Sequence, residues 1–393
     1  MIKKIISLFF QAVDMSVYYI ISIFYKNNPK YKNMWLISER GTEAKDNGYV
    51  FFKYLRENHP NINAYYLIDT NFKNDYNKIK HLDNIIEYNS FEHKIAFLLC
   101  DKAISSHIGF LEPWSYKLYK LIFDRKSKKK YIILQHGIIN HDLSEIYSKK
   151  ATKANLLITS TKQEYLSITN IFDYGYKKEE VVNTGLARFD LLNNNNKNKN
   201  QILLMPTWRK NIVNPSYIKK KQLDDSIFLN SLYFEKYSSL LNNKELHKFL
   251  EEHNYNLIFY PHYEIQQYLK YFSTNSKNIF IASKEKFDVQ TLLKESKLLI
   301  TDYSSVFFDF AYMKKPLLYY HFDEGHYKKG YFDYVKDGFG KVISEEKILI
   351  ENIKIAFENN FEMEKEYINR VNECFTFVDN KNCERIYSEI IKI

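Results

Sequence analysis

Cysteine is scarce in this 393-residue chain, and the three present, Cys100, Cys374 and Cys383, lie in apolar or helical contexts without CxxC spacing. Neither a disulfide framework nor a zinc site is indicated, and a reducing cytoplasm fits. The chain also has no GxGxxG and no GxxxxGK followed by Ser or Thr, which argues against dinucleotide redox and P-loop chemistry. It has no clear DxD and no carboxylate cluster to hold a divalent ion, since Asp224–Asp225 falls in a Lys-rich loop. We therefore expect a reaction that needs no metal and no cofactor. Groove-reading and base-stacking motifs are missing as well, so no nucleic-acid partner is expected. The Lys-rich stretches RKSKKK (125–130) and IKKKQ (218–222) read as solvated loops that also suit an anionic membrane or a polyphosphate. No solenoid-length repeat is visible.

What is present is enough apolar sequence, 45%, for two globular domains, and an excess of 10 positive charges that favours an anionic partner. The chain begins MIKKIISLFFQAVDMSVYYIISIFYKNNPKYK, about twenty mostly apolar residues flanked by lysines and without a small-residue cleavage site. A carboxylate at the bilayer centre costs roughly 2.5–3.5 kcal/mol, so Asp14 and Gln11 disfavour a spanning helix. Two readings remain: an amphipathic helix lying in the membrane interface over residues 1–30, or an ordinary helix docked on the first domain.

From Met34 onward β-rich runs alternate with helical patterns. MWLIS, AYYLID, IIEYN, KAISSH, YIILQH, LLITS and VVNT form one series, and ILLMPT, NLIFYPH, NIFIA, KLLIT and PLLYYHF form a second. Runs this apolar, separated by helices, predict parallel sheets covered on both faces. NNNNKNKNQ (193–201) reads as a linker. The expected fold is α/β, with two doubly wound Rossmann-like domains at residues 31–195 and 200–345, a long helical stretch from about Ser226 to His253, and C-terminal helices over 346–393.

Ligands in open parallel sheets lie beyond the carboxyl ends of strands. That rule selects His107, His136, Thr207–Arg209, His262 and Thr301–Ser305. His136, followed by Gly137, suits a general base, because a neutral imidazole can take a hydroxyl proton near neutral pH. His262 and Arg209, with the hydroxyls and backbone N–H groups of the Thr301–Ser305 turn, form a set able to bind a diphosphate and stabilise its leaving charge. Within that turn, Asp302 or Ser304 can equally serve as an ordinary helix cap.

LQHGIINHDLS, TGLARFDLL, MPTWRK, FYPHYEI and TDYSSVFFDFAYMKKPLLYY, in this order, resemble the CDP-glycerol glycerophosphotransferase family of teichoic-acid and capsule enzymes, from about Trp35 to Asp323. The resemblance implies a GT-B fold with its domains facing a cleft, a CDP-polyol donor bound mainly by the second domain, and an acceptor approaching over the first. By it, His136 is the base, His262 contacts donor phosphate, and Ser304 and Ser305 are the motif serines; taken with the strand-end residues, the expected catalytic residues are His136 and His262 and the expected donor-binding residues are Thr207, Arg209, Thr301, Asp302, Ser304, Ser305 and Arg188. It further implies CDP-glycerol or CDP-ribitol as donor and a lipid-linked or polymeric phosphate or saccharide acceptor. The place implied is the cytoplasmic face of a bacterial membrane, held peripherally. Ala187 stands where the family commonly has proline. Other readings of the same residues are a GT-B glycosyltransferase using a UDP-sugar and a noncatalytic membrane scaffold.

Overall fold

A computed structural model describes residues 2–124, 128–192, 198–213, 225–325 and 327–393. The IKKKQ stretch, Asp224, most of the 193–201 linker and the first half of RKSKKK lie outside the described residues. The chain divides into two compact units: residues 1–138, 143–191 and 379–393 form the first, and 139–142 with 192–378 form the second.

The first unit is built on a seven-stranded parallel sheet. Its strands are β1 (Trp35–Ser38), β2 (Ala64–Ile68), β3 (Ile85–Glu87), β4 (Lys102–Ser105), β5 (Lys130–Ile133), β6 (Leu156–Thr159) and β7 (Val181–Asn183), in the order β3-β2-β1-β4-β5-β6-β7. Strands β1 and β6 are buried along their whole length, as sheets covered on both faces require. The order reverses between β1 and β4, a topological switch point, so the loops after these strands flank a crevice.

The last helix, Asn382–Ile390, belongs to this unit and buries Cys383, Ile386 and Ile390 in its core. Asp190 holds its start, accepting from the backbone N–H of Asn382 and Cys383, each at 2.8 Å. Gly185, at φ +84°, fits only because it has no Cβ: one would lie 1.8 Å from the Asn382 amide oxygen. Much of TGLARFD therefore seats the chain's last helix.

The second unit repeats the plan with six parallel strands: β8 (Gln201–Met205), β9 (Asn256–Phe259), β10 (Ile279–Ile281), β11 (Leu298–Thr301), β12 (Leu317–Tyr320) and β13 (Gly340–Ile343), in the order β10-β9-β8-β11-β12-β13. Its switch point lies between β8 and β11. Strand β13 was not expected; at an edge, with Lys341 and Val342 exposed, it lacks an apolar run. The stretch read as one helix from Ser226 to His253 is three, Asp225–Leu229, Leu232–Leu241 and Lys244–Glu252. The breaks fall where the Ser231 hydroxyl accepts from Phe234 N–H at 3.2 Å and Asn243 Oδ1 accepts from Glu245 N–H at 2.9 Å, two side-chain caps that restart the helix.

The N-terminal helix Ile2–Tyr25 lies on the first unit, to which Gln11 and Asp14 are hydrogen-bonded. Asp14 accepts from Lys94 Nζ at 2.8 Å and Trp114 Nε1 at 2.7 Å, and Gln11 accepts from Ser115 N–H at 2.8 Å. Phe9, Phe10 and Phe24 face outward, 64%, 65% and 83% exposed. The polar groups that count against a lipid environment are thus satisfied within the protein, and the outer face is apolar.

Candidate active site

In the first unit the register aligns Ser38 of β1 with Ser105 of β4, and Ser105 with Ile133 of β5, so the loops after these strands emerge side by side. Glu39, His107 and His136 follow in those loops. Gln135, buried and held at φ +64°, a conformation uncommon outside glycine, turns the chain at the end of β5, and the next side chain, His136, is 51% exposed. Helix Asn47–Asn58 begins beside it, and its N-cap, Asp46, is buried.

His136 Nδ1 bonds to Asp46 Oδ2. An ionised carboxylate can only accept, so Nδ1 carries the proton, and it is in the neutral form of the ring that Nε2 has a lone pair to offer. Asp46 Oδ1 accepts from Arg188 at 2.8 Å and from Asn47 N–H at 2.8 Å, and the same guanidinium bonds to the His136 carbonyl. Burial pushes the Asp46 carboxyl up, but His136 and Arg188 outweigh it and hold it well below the usual carboxylate range. Beneath it, Glu39 is fully buried and accepts from the backbone N–H groups of Asp46, Tyr49 and Lys45 at 2.8, 2.8 and 3.1 Å. Burial and the neighbouring Asp46 raise Glu39 to about 8.

His107 packs against His136 with ring centroids 4.3 Å apart. Burial first, then the charges of His136 and Arg40, lower its pKa well below the ordinary value, so it is a neutral imidazole. Ligand-capable atoms of Asp46, His107 and His136 lie within 4.8 Å of one another. Both Asp46 oxygens are already engaged, by a guanidinium and an imidazole, so the arrangement is that of a hydrogen-bonded carboxylate–histidine pair.

In the second unit, four loops at the carboxyl ends of adjacent strands are tied together. Thr207 N–H donates to Asp302 Oδ1 at 2.8 Å, and His262 N–H donates to the Pro206 carbonyl at 2.9 Å. Arg209 donates from Nη1 to Asp302 Oδ2 at 2.9 Å and, through the Nε–Nη2 edge of its guanidinium, to Asp323 at 2.8 and 2.9 Å. Its side chain is 3% exposed; burial alone would lower its pKa, but Asp302 and Asp323 raise it. Tyr303 donates to the Asp323 carbonyl and stacks on His321 at 4.1 Å. His141 stacks on Tyr327 at 4.5 Å and is lowered to about 4 by burial.

The residues predicted for the site therefore fall into two groups. His136 and Arg188 stand together in the first unit, where Arg188 braces Asp46. Thr207, Arg209, Thr301, Asp302, Ser304, Ser305 and His262 stand together in the second, in differing orientations. Thr301 is buried and its hydroxyl donates to the Met205 carbonyl at 2.7 Å. Asp302 does not cap the helix Val306–Tyr312; the cap position is Ser305, without a side-chain cap bond. Ser304 and Ser305 remain partly exposed on the turn. His262 Nδ1 accepts from Glu264 N–H at 3.3 Å. Sequence reading did not single out Asp46, Glu39, Asp323, His141 or His321. The one local signal for Asp46 was an Asp directly ahead of a helical run, which reads as a turn and nothing more.

A family model described as CDP-Glycerol:Poly(glycerophosphate) glycerophosphotransferase matches residues 19–392. The minor teichoic acid biosynthesis protein GgaB of Bacillus subtilis is 36% identical over 96% of this chain and 41% of its own length. The teichoic acid poly(glycerol phosphate) polymerase of the same organism is 25% identical over 83% of this chain and 44% of its own. The chain thus spans less than half the length of these two relatives. A solved structure of the wall teichoic acid polymerase TagF, a histidine-to-asparagine variant soaked with CDPG, matches with a TM-score of 0.67 at 19% identity, covering 100% of this chain and 95% of that one. The likeness to it shows the fold.

Proposed function

This chain belongs to the CDP-glycerol:poly(glycerophosphate) glycerophosphotransferase family, and from that premise we propose that it transfers a polyol phosphate, glycerol phosphate first among the candidates, from a CDP-activated donor to a hydroxyl acceptor in teichoic-acid or capsule synthesis, releasing CMP. The observation that carries the reading is the Asp46–His136 pair: an exposed imidazole whose Nδ1 is committed to a carboxylate, which leaves Nε2 for the role of base.

In the proposed step, Nε2 of His136 takes the proton of the acceptor hydroxyl as its oxygen attacks the β-phosphorus of the donor. The new P–O bond forms, the bond from that phosphorus to the bridging oxygen breaks, and CMP leaves with the electron pair. Asp46 steadies the imidazolium that results, and Arg188 keeps Asp46 ionised. His262, Ser304, Ser305 and the N–H groups of the turn bind the diphosphate, while Arg209, Thr207, Thr301 and Asp302 hold that turn in place. Such catalysis is positioning and electrostatics. Metal independence is part of the proposal, because a divalent ion at Asp46 would have to displace Arg188.

The test is CMP release from CDP-glycerol, CDP-ribitol and UDP-sugars, with and without a glycerol phosphate oligomer, in buffer containing EDTA. Acceptor-dependent CMP release from one CDP-polyol, undiminished by EDTA, is the expected result. Turnover of a UDP-sugar alone would replace this reading with the glycosyltransferase one.

We also propose that the helix Ile2–Tyr25 holds the enzyme on an anionic membrane surface, its apolar outer face in the interface and its polar face on the protein. Changing Phe9, Phe10 and Phe24 together to serine leaves Asp14, Gln11 and the buried Met15 untouched, and is expected to move the protein from sedimented anionic vesicles to the supernatant without altering its melting temperature. Equal sedimentation of wild type and variant would refute membrane docking through this helix.

A further inference from the structure

We propose that a cavity in the first unit, walled on one side by His107, seats the terminal unit of the acceptor, and that this unit is neutral and polyhydroxylated, a polyol or a sugar. The word acceptor rests on the function proposed above; the binding does not.

The cavity has a volume of about 280 Å³, and its lining includes Ser105, His107, Glu112, Tyr116, Tyr131 and Thr152. Four of these residues carry buried polar atoms with no hydrogen-bond partner: His107 Nε2, Glu112 Oε2, Tyr116 OH and Tyr131 OH. His107 and Tyr131 are only 8% and 7% exposed. Buried polar atoms are almost always satisfied, and four orphans on the lining residues of one cavity are what a ligand with several hydroxyls would satisfy. Hydroxyls suit the set because they can accept from the phenols and donate to the carboxyl and the imidazole.

Much of the rest of the wall is apolar, from Ala103, Ile108, Leu111, Ile132 and Ile133. The rings of Tyr116 and Tyr131 stand 4.5 Å apart and tilted by 56°, offering flat surfaces to the C–H faces of a sugar or polyol. A phosphate inside would meet Glu112, which burial raises to about 7 and which phosphate would have to keep protonated. The exposed Lys117, also on the lining, suits the phosphodiester that follows the terminal unit. The cavity is also joined to the proposed base: His107, on its wall, lies against His136 at 4.3 Å. A hydroxyl bonded to His107 from the cavity would thus be one ring away from the group proposed to deprotonate it.

Saturation-transfer NMR on the full chain without donor, with di(glycerol phosphate) and methyl β-glucoside as separate probes, tests the site and tells a polyol end from a sugar end. Wild type is expected to bind one of them. Glu112→Gln and Tyr131→Phe, each removing one hydrogen-bonding role at nearly constant shape, are expected to weaken that probe roughly tenfold, the order expected for one hydrogen bond to a buried group. Melting curves check that both variants fold, and the KM for acceptor should rise in parallel while the KM for CDP-glycerol stays constant. Absence of binding of either probe to wild type, unchanged binding in both folded variants, or a donor KM that rises with the acceptor KM overturns the proposal. If wild type binds a probe that both variants lose, yet releases no CMP from any CDP-polyol, the cavity stands and the donor assignment falls.

Discussion

His136→Ala is expected to lower kcat for transfer by about 10²–10⁴-fold, the usual worth of a positioned general base, while CDP-glycerol still binds. Donor binding is read separately by thermal shift with CDP-glycerol, so loss of the base and loss of the fold are told apart. Asp46→Asn should cost less. It keeps the shape and one acceptor oxygen but removes the negative charge that favours the imidazolium, and it leaves Arg188 facing a neutral amide. The pair also has a pH signature in stability. The Asp46 carboxyl is depressed in the folded state, so its contribution is fully present above the unfolded carboxylate value of about 3.9 and is lost as pH falls below it. The stability gap between wild type and Asp46→Asn should therefore be wide at pH 7 and narrow on acidification. Full turnover by His136→Ala, or a gap that widens toward acid, would remove this pair from the mechanism.

How much of this could be read from the chain follows the range of the interactions involved. Twelve of the strands lie in apolar runs that a local pattern exposes, and the strand-end rule then delivered His107, His136, Arg209, His262 and the Thr301–Ser305 turn, because strand ends are local too. Strand β13 escaped, since an edge strand with Lys341 in its middle carries no apolar run. The partner of the base also escaped. Asp46 and His136 are 90 residues apart and meet only because the loops after β1 and β5 emerge on either side of β4. The inward turn of Thr301 and Asp302 was equally hidden: one sequence does not say whether a polar side chain at a strand end faces solvent or the next loop. The split of the 226–253 stretch was legible, for Ser231 and Asn243 are ordinary N-cap residues, and aromatic periodicity across them masked the breaks.

Asp302→Ala is expected to be the most destabilising single change in the second unit. Asp302 is fully buried and accepts from Arg209, Thr207 N–H and Tyr303 N–H at 2.9, 2.8 and 2.7 Å. Truncation leaves the buried Arg209 with Asp323 alone and two backbone donors without their acceptor. Breaking a buried ion pair by removing one member costs about 3–5 kcal/mol, which for a unit of this size corresponds to a fall of roughly 6–20 °C in melting temperature. Asp302→Asn keeps an acceptor for both N–H groups and should cost distinctly less. Arg209→Lys should fall near the alanine change, because an ammonium cannot span both carboxylates as the fork does. The same comparison decides what Arg209 does. If it chiefly holds the turn, Arg209→Lys lowers the melting temperature and weakens CDP-glycerol binding together. If instead it swings out to meet the diphosphate, Arg209→Lys raises the donor KM with little change in melting, and Asp302→Ala, by releasing it, tightens donor binding. The depth of the Arg209 side chain, 3% exposed with Nε and Nη2 on Asp323 and Nη1 on Asp302, favours the first outcome. On that account the polar turn after β11 has two faces: Thr301 and Asp302 lock it to β8 and its loop, and Ser304 and Ser305 are what the lock presents.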